Sequence, residues 1–507
     1  MVRLPVPRTV NSNSKFPYKK NHCLSLLKLS SSVKHASQIH AQILVSGLQQ
    51  DTSLLTELIR FCSLSPSRNF SYAQSLLYNS LDSLPPSWNF LIRGYASGDA
   101  PKNAIRVFCR MRKEGVAPNN FTFPFVFKAC ATCLALEEGE QVHADIFKFG
   151  LDCDVYVNNN LINFYGSCKK VLDACKMFDE MPVRSIVSWN SVITACAQNL
   201  WSRDAIRKFV KMKDFGFQPN ETTMVIMLSL CAQIGNLGLG KWIHSQLIER
   251  GMTLNCQLGT ALVDMYAKSG DLGHAKLVFD RMEEKNVWTW SAMILGLAQH
   301  GFGKEGLELF LKMRESFSVF PNYVTFLGVL CACSHAGLVD EGFRYFHEME
   351  HRHGIRPMVI HYGAMVDILG RAGNLEEAYN FLMDVPFRPD PILWRTLLSA
   401  CSIHNANVSD GLVDKVRKKL LELEPRRSEN FVIIANMYAD AGMWETATNV
   451  RRTMRYGGLK KIGGGSCIVL EGSIYQFFSG CCSKDDHESI KLLLDGLNLH
   501  MKMVNSL

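Results

Sequence analysis

The sequence predicts an all-α protein: a right-handed superhelical α-solenoid of stacked helix-turn-helix repeats, with a short irregular or β-containing C-terminal tail. The first observation is a fixed period, because Trp88, Trp189 and Trp290 are each separated by 101 residues and lie in similar phrases. A fixed period indicates stacked units that bury their apolar faces against their neighbours. The second observation is that patterns typical of strands are nearly absent before residue 463.

The 101-residue period divides into repeats of 35, 35 and 31 residues, and its third copy is slightly longer. Two degenerate repeats are predicted at residues 17–84, divided near residue 51. Nine further repeats follow at residues 85–119, 120–154, 155–185, 186–220, 221–255, 256–286, 287–322, 323–358 and 359–390.

Each repeat is predicted to be a helical hairpin, and residues 256–286 illustrate the pattern. Two apolar stripes have the spacing of amphipathic helices. They are Leu262, Val263, Met265 and Tyr266, then Ala275, Leu277, Val278 and Phe279. Gly270 and Asp271 separate them and predict the turn.

The composition suits an array whose core grows along one axis, since 47% of residues are hydrophobic and 20% are charged. No stretch predicts a membrane span. The longest uncharged run, residues 316–339, is interrupted by Pro321 and Asn322 at a repeat boundary.

Positive charge is concentrated at the N-terminus. Residues 1–50 contain no Asp or Glu and seven basic residues: Arg3, Arg8, Lys15, Lys19, Lys20, Lys28 and Lys34. Since the net charge is +8, the remaining residues contribute only +1. This composition predicts an organellar transit peptide at residues 1–16, or as far as about 34, rather than a basic tail without a targeting role. The mitochondrion is preferred over the chloroplast.

The cysteines predict core packing rather than disulfides or metal. Cys130, Cys231 and Cys333 each fall at the eleventh position of a repeat. A residue that recurs at one helical position is small core filler, and scattered free thiols indicate a reducing compartment.

Several phrases resemble plant pentatricopeptide repeat proteins, and the alternating repeat lengths resemble the P-L-S subclass of that family. The phrases are Ser-Trp-Asn at 87–89, Gln-Ile-His at 38–40, Tyr-Ala-Lys-Ser-Gly at 266–270 and Cys-Ser-His-Ala-Gly-Leu-Val at 333–339. Tetratricopeptide repeats, the alternative array, keep a uniform 34-residue period. The resemblance implies a single-stranded RNA binder that reads one base per repeat with two or three side chains.

In that family the fifth and last residues of a repeat discriminate between bases. The resemblance therefore implies nine pairs: Asn89 with Asn119, Pro124 with Asp154, Asn159 with Ser185, Asn190 with Asn220, Val225 with Asn255, Thr260 with Asn286, Ser291 with Asn322, Leu327 with Met358, and Gly363 with Asp390. Asn with Asn implies a pyrimidine, Asn with Ser a weaker pyrimidine preference, and Thr or Ser with Asn implies adenine. Pairs beginning with Pro, Val, Leu or Gly specify poorly. From 5′ to 3′, the implied preference is pyrimidine, any, pyrimidine, pyrimidine, any, adenine, adenine and two weak positions.

The second residue of a repeat often stacks between bases in the family. The resemblance implies this role for Pro86, Phe121, Tyr156, Val187, Trp288 and Val324. The alternative for the pairs is structural, since Asn, Ser and Thr at helix starts are commonly caps and Pro-Asn sequences are commonly turns.

After residue 390 the repeat pattern changes. Residues 391–462 resemble the E-type extension of organellar C-to-U RNA editing factors. Residues 463–507 resemble an eroded E+-like tail without a deaminase domain, in which residues 474–478 predict a short strand. Five basic residues, interpreted as a solvated helix face or as contacts to phosphate or a partner, are Arg451, Arg452, Arg455, Lys460 and Lys461.

The sequence does not predict an enzyme, a cofactor or a metal site. Zinc deaminases need His-x-Glu and Pro-Cys-x-x-Cys motifs, and neither motif occurs in these 507 residues. The lone Cys-x-x-Cys, from Cys130 to Cys133, is predicted to lie inside a helix with no fourth ligand nearby.

These observations favour a sequence-specific RNA-binding protein that recognises C-to-U editing sites and recruits a deaminase in trans. The alternative is an organellar RNA stability, splicing or translation factor, or a non-catalytic scaffold. The expected partner is single-stranded organellar RNA, and the chain is expected to act as a monomer away from membranes. The resemblance also implies multiple organellar RNA editing factors and a trans-acting DYW-type deaminase as partners.

Overall fold

The computed structural model describes residues 15–80, 84–316, 319–404, 411–459, 465–470 and 473–478. Most of the predicted leader and the end of the tail, from residue 479, lie outside these ranges. The chain divides into two compact units, Met1–Leu230 and Cys231–Leu507.

The first compact unit consists of helices that follow one another in hairpins. They are α1 (Lys15–Leu29), α2 (Val33–Val45), α3 (Thr52–Leu64), α4 (Phe70–Tyr78), α5 (Pro85–Ala96), α6 (Pro101–Lys113), α7 (Phe123–Cys133), α8 (Leu136–Lys148), α9 (Val155–Ser167), α10 (Val171–Glu180), α11 (Ile186–Gln198) and α12 (Ser202–Asp214). The division between the units falls inside the next helix, α13 (Glu221–Ile234).

The second compact unit continues the pattern and ends in a two-stranded antiparallel sheet. Its helices are α14 (Leu237–Glu249), α15 (Cys256–Lys268), α16 (Leu272–Arg281), α17 (Val287–Gln299), α18 (Gly303–Glu315), α19 (Tyr323–Ala336), α20 (Val339–His351), α21 (Val359–Arg371), α22 (Leu375–Met383), α23 (Pro391–Ile403), α24 (Gly411–Leu423), α25 (Ser428–Asp440) and α26 (Trp444–Tyr456). Strand β1 (Gly465–Leu470) pairs with β2 (Ser473–Phe478), which contains the predicted strand at 474–478.

Each compact unit is a two-layered stack of helices. In the first layer, α5, α7, α9 and α11 pack side by side, as do α15, α17, α19, α21 and α23 in the second unit. The intervening helices pack against their neighbours in sequence, as α6 does against α5 and α7. The predicted class of stacked helical hairpins is therefore confirmed within each unit.

The hairpin of α15 and α16 shows how the sequence forms these elements. Leu262, Val263 and Tyr266 are buried on α15, and Val278 is buried on α16. The turn between them passes through Gly270, whose φ of +82° favours glycine because L side chains are strained there. One predicted core residue is wrong, since Leu277 is 55% exposed.

The tryptophans that set the period lie on the first helices of their hairpins. Trp88 and Trp189 are buried, whereas Trp290 is half-buried. The Trp189 ring packs edge-on against Phe178 of the preceding hairpin, with 4.6 Å between ring centroids. A tryptophan at this position therefore joins consecutive hairpins, which explains why the spacing is maintained.

Helices α23 to α26 share one hydrophobic core with the hairpin before them. Trp394 on α23 and Ile434 on α25 belong to the same buried cluster as Val366 and Leu369 on α21. The predicted E-type segment thus extends the stack of the second unit rather than forming a separate core.

Candidate nucleic-acid interface

The last residues of the repeats lie at the starts of first-layer helices, where several act as N-caps. Asn220 Oδ1 accepts a hydrogen bond from Thr223 N–H at 3.0 Å. Asn286 and Asn322 accept equivalent bonds, from Thr289 N–H at 3.0 Å and Thr325 N–H at 2.9 Å. Asp154, Ser185, Asn255 and Asp390 cap α9, α11, α15 and α23. The capping interpretation is therefore correct for these side chains, since each satisfies a free N–H group at a helix start.

The fifth residues lie one turn into the same first-layer helices. Asn89, Asn159 and Asn190 are 7%, 5% and 7% exposed, and Ser291 is 1% exposed. A buried polar side chain is costly unless its hydrogen-bonding atoms have partners. The partners of these residues therefore determine which atoms remain for a ligand.

Three side chains form the same network at two asparagine pairs. Asn89 Nδ2 donates to Asn119 Oδ1 at 3.0 Å, and the Thr122 hydroxyl donates to Asn89 Oδ1 at 2.7 Å. One 101-residue period later, Asn190 Nδ2 donates to Asn220 Oδ1 at 3.2 Å, and the Thr223 hydroxyl donates to Asn190 Oδ1 at 2.7 Å. The structure thus brings the fifth and last residues of these two repeats into direct contact.

The partners of Asn119 leave its amide only one orientation. Its Oδ1 accepts from the backbone N–H groups of Phe121 and Thr122, at 3.0 and 3.2 Å, and an amide nitrogen could not accept them. The Asn89 atom that faces this oxygen must then be its Nδ2, and Asn89 Oδ1 faces the Thr122 hydroxyl. Within the described residues, the Asn119 Nδ2 group has no protein partner. Capping therefore uses the oxygen of this side chain and leaves its Nδ2 group available for a ligand.

Hydroxyl groups replace the amide at two other pairs. The Thr260 hydroxyl lies 2.7 Å from the Thr289 hydroxyl, which is 3.1 Å from Asn286 Oδ1. The Ser291 hydroxyl lies 2.7 Å from the Thr325 hydroxyl and 3.3 Å from Asn322 Oδ1. Both fifth-position hydroxyls donate to a backbone carbonyl, Thr260 to Cys256 O and Ser291 to Val287 O, each at 2.7 Å. They can otherwise only accept, so these repeats present a different pattern from the asparagine pairs.

The pair Asn159 and Ser185 differs from the others. The Ser185 hydroxyl lies 3.1 Å from the hydroxyl of Ser188, the third residue of the following repeat. Asn159 Oδ1 is buried without a hydrogen-bond partner. The structure does not form a closed network at this repeat.

The remaining pairs lack a polar fifth side chain. Pro124 is buried, Val225 is half-buried, and Leu327 packs against a buried cluster of the second unit. Met358, the last residue of the repeat that contains Leu327, is 49% exposed. In the last pair, Gly363 has no side chain with which to contact Asp390. These repeats offer a base no donor or acceptor from the fifth side chain.

The second residues are mostly exposed beside these networks. The exposed fraction is 60% for Phe121, 50% for Tyr156, 58% for Val187 and 47% for Trp288. Pro86 is exposed and Val324 is half-buried. The three exposed rings, Phe121, Tyr156 and Trp288, share one repeat position, and rings of this kind can stack with unpaired bases.

The sequence prediction missed the third residue of the repeats. Ser87, Thr122, Ser188, Thr223, Thr289 and Thr325 are all buried. The signal was present in the phrases Ser-Trp-Asn and Thr-Trp-Ser, where the hydroxyl residue keeps the 101-residue period at Ser87, Ser188 and Thr289.

The first thiol of the Cys-x-x-Cys sequence has the chemistry of a core residue. Cys130 lies in α7, and burial raises the pKa of its thiol to about 12. A thiol in this state is a poor nucleophile and metal ligand at neutral pH, because both roles require the thiolate. Among the described residues, no group of three or more His, Cys, Asp or Glu side chains could hold a metal ion.

Helix α26 carries the basic residues that the sequence singled out. Arg451, Arg452 and Arg455 are exposed, and Arg451 donates to Asn436 Oδ1 at 3.1 Å. Lys460 and Lys461 lie outside the described residues. Across the ranges that the structure describes, no helix is long and apolar enough to span a membrane.

Three family descriptions match parts of the chain between residues 86 and 469. The PPR repeat family matches residues 86–132 and 184–233, and the PPR repeat itself matches 159–186, 260–287, 288–316, 324–353 and 360–385. The E motif matches residues 411–469.

Curated relatives cover nearly the whole chain. The pentatricopeptide repeat-containing protein At2g36730 of Arabidopsis thaliana is 56% identical over 485 residues, which are 96% of this chain and 96% of the relative. A second Arabidopsis thaliana relative is the chloroplastic/mitochondrial pentatricopeptide repeat-containing protein At1g59720. It is 36% identical over 93% of this chain and 76% of its own length.

A solved structure shares the fold. The pentatricopeptide repeat protein PPR10 of maize, in complex with an 18-nt psaJ RNA element, matches with a TM-score of 0.61 and 16% identity. The match covers 84% of this chain and 64% of that one, so the chain spans just under two thirds of that protein. The repeats, the E motif and the identity to curated relatives together show that this chain belongs to the pentatricopeptide repeat family.

Proposed function

We propose that the chain binds single-stranded RNA in a sequence-specific manner, with one repeat facing each nucleotide. One recurring arrangement carries this proposal. Exposed second residues lie beside the last-position amides, and the oxygen of each such amide is occupied by capping a helix. An amide with its oxygen occupied offers only N–H donors, which suit the acceptor atoms of a base edge. The solved PPR10 structure is a complex with an 18-nt RNA element, and this supports the same proposal.

The donors of the two asparagine networks suit pyrimidines, which carry carbonyl oxygens at their Watson–Crick edges. In the repeats at 256–286 and 287–322, the Thr260 and Ser291 hydroxyls already donate to backbone carbonyls. Toward a base they can therefore only accept, which suits the amino group of adenine. All nine pairs named above remain proposed base-reading residues, and the six second residues remain proposed stacking residues.

We further propose that the chain directs C-to-U editing in an organelle and recruits a separate deaminase. The E motif after the repeats supports this role. The basic, acid-free N-terminus and the chloroplastic/mitochondrial name of one relative support an organellar location. Because the deaminase motifs do not occur in the sequence, the chain would position a cytidine for a DYW-type deaminase and for multiple organellar RNA editing factors.

Two experiments test these proposals separately. Selection from a random single-stranded RNA pool by the purified full-length chain tests binding, and enrichment of a sequence motif is expected. Organellar transcript sequencing in a loss-of-function line tests editing, and loss of C-to-U conversion at one or a few cytidines is expected. Complete editing with a changed transcript end, abundance or intron would contradict the editing role and favour RNA stability or splicing.

A further inference from the structure

In several repeats the third residue lies against the fifth residue of the repeat before it. In four pairs, a threonine hydroxyl lies 2.7 Å from a side-chain oxygen of the preceding fifth residue. The pairs are Thr122 with Asn89, Thr223 with Asn190, Thr289 with Thr260, and Thr325 with Ser291. Even in the degenerate repeat starting at residue 52, the Thr56 hydroxyl lies 2.8 Å from the hydroxyl of Ser87. A contact between neighbouring repeats thus recurs along the array.

The chemistry of the third residue follows that of the fifth. From Thr56 to Ser291, every polar fifth residue is followed by Ser or Thr at the third position of the next repeat. Where the fifth residue is Pro124, Val225, Leu327 or Gly363, the third residue of the next repeat is Val157, Leu258, His361 or Leu393, respectively. Asn21, the fifth residue of the first degenerate repeat, is exposed and departs from the pattern, since Leu54 follows it.

Helix capping alone does not account for this pattern. Asp154 accepts from Val157 N–H at 2.9 Å, and Asn255 accepts from Leu258 N–H at 3.0 Å. Both caps form with an apolar third residue. The hydroxyl therefore follows the fifth residue and not the cap.

We infer that the hydroxyl at the third position is a positioning residue, through which each repeat sets the base preference of the repeat before it. This inference rests on the proposed RNA binding. In the intact network the hydroxyl occupies the asparagine Oδ1, so the pair offers a base N–H donors. Without the hydroxyl, Oδ1 can accept from a base as well, and bases with a donor at that edge are tolerated.

The chain contains a natural comparison. Asn159 Oδ1 has no partner, although Ser188 stands at the third position of the next repeat. The inference predicts that the nucleotide facing Asn159 is specified less sharply than the nucleotides facing Asn89 and Asn190.

The test replaces Thr223 in the full-length chain by Val, which removes the hydroxyl at similar volume, and by Ser, which retains it. Val157→Thr is the matched control, because it adds a hydroxyl at the third position of the repeat that follows Pro124. Each protein selects RNA from the same random single-stranded pool, and base frequencies are compared nucleotide by nucleotide. Thermal unfolding midpoints show whether each variant folds.

We expect T223V to reduce the base preference at the nucleotide facing Asn190 by about tenfold, the effect of losing one oriented hydrogen bond. T223S should restore this preference, and V157T should leave every preference unchanged. A folded T223V protein that keeps the wild-type preference at that nucleotide would overturn the inference. If T223V does not fold, loss of the preference in T223S would overturn it. A wild-type protein that enriches no motif would instead contradict the proposed function itself.

Discussion

Phe121 offers a direct test of the proposed stacking surface. Its side chain is 60% exposed in the turn that precedes α7, beside the network of Asn89, Asn119 and Thr122. Phe147 on α8 is 61% exposed but lies on a second-layer helix. The two phenylalanines therefore form a matched pair in the same repeat, with equal exposure and different proposed roles.

The expected magnitude follows from the exposure of the ring. Replacing a side chain that is already mostly exposed should change the free energy of unfolding by no more than about 0.5 kcal/mol. Stacking of one base on an aromatic ring contributes roughly 1–3 kcal/mol. Phe121→Ala should therefore weaken RNA binding by about 5- to 150-fold, and Phe147→Ala should have little effect.

The assay is the equilibrium affinity of each purified protein for the RNA selected by the wild-type chain, at several salt concentrations. Because a neutral ring releases no counterions from phosphate, F121A should lower the affinity without changing its salt dependence. Equal affinities for F121A and F147A would refute the stacking role, and so would a loss confined to low salt.

Two further predictions concern stability and pH. Replacing the buried Trp189 by Ala should destabilise its unit by about 3–5 kcal/mol, and the same change at the half-buried Trp290 should cost less; equal shifts in the unfolding midpoint would contradict this order. Burial lowers the pKa of His361, which accepts from Met358 N–H at 3.0 Å. Since its folded pKa lies below its unfolded value near 6.5, its contribution to stability is present above that pH and is lost as pH falls through this range. The His361→Thr variant lacks this titrating group, so the unfolding midpoint of the variant should depend less on pH between 7 and 5 than that of the wild type. Identical slopes of midpoint against pH would exclude the effect.

The sequence predicted the array because its main signals are local and repeated. The tryptophan spacing and the glycines at the turns depend on contacts within a hairpin or with the next one, so a period in sequence becomes a period in space. Leu277 was assigned to the core because its spacing fits an apolar stripe. The structure leaves it exposed, since spacing alone does not define how wide the buried face of a short helix is.

The site was less predictable, because its central contacts join different repeats. Asn89 and Asn119 were paired through resemblance, and the structure adds the hydrogen bond between them. The sequence assigned no function to Thr122, because a buried hydroxyl near a helix start looks like part of a cap. Its second contact, to Asn89 in the preceding repeat, is visible only in three dimensions.

The most direct test of the account is to exchange one pair for another within the same chain. Asn190→Thr converts the pair with Asn220 into the combination found at Thr260 and Asn286, and it keeps Thr223 in place. Selection from a random single-stranded RNA pool would then compare this variant with the wild type. The account predicts that the nucleotide facing this repeat changes from pyrimidine to adenine while the other preferences stay the same. An unchanged pyrimidine at that nucleotide would contradict the account.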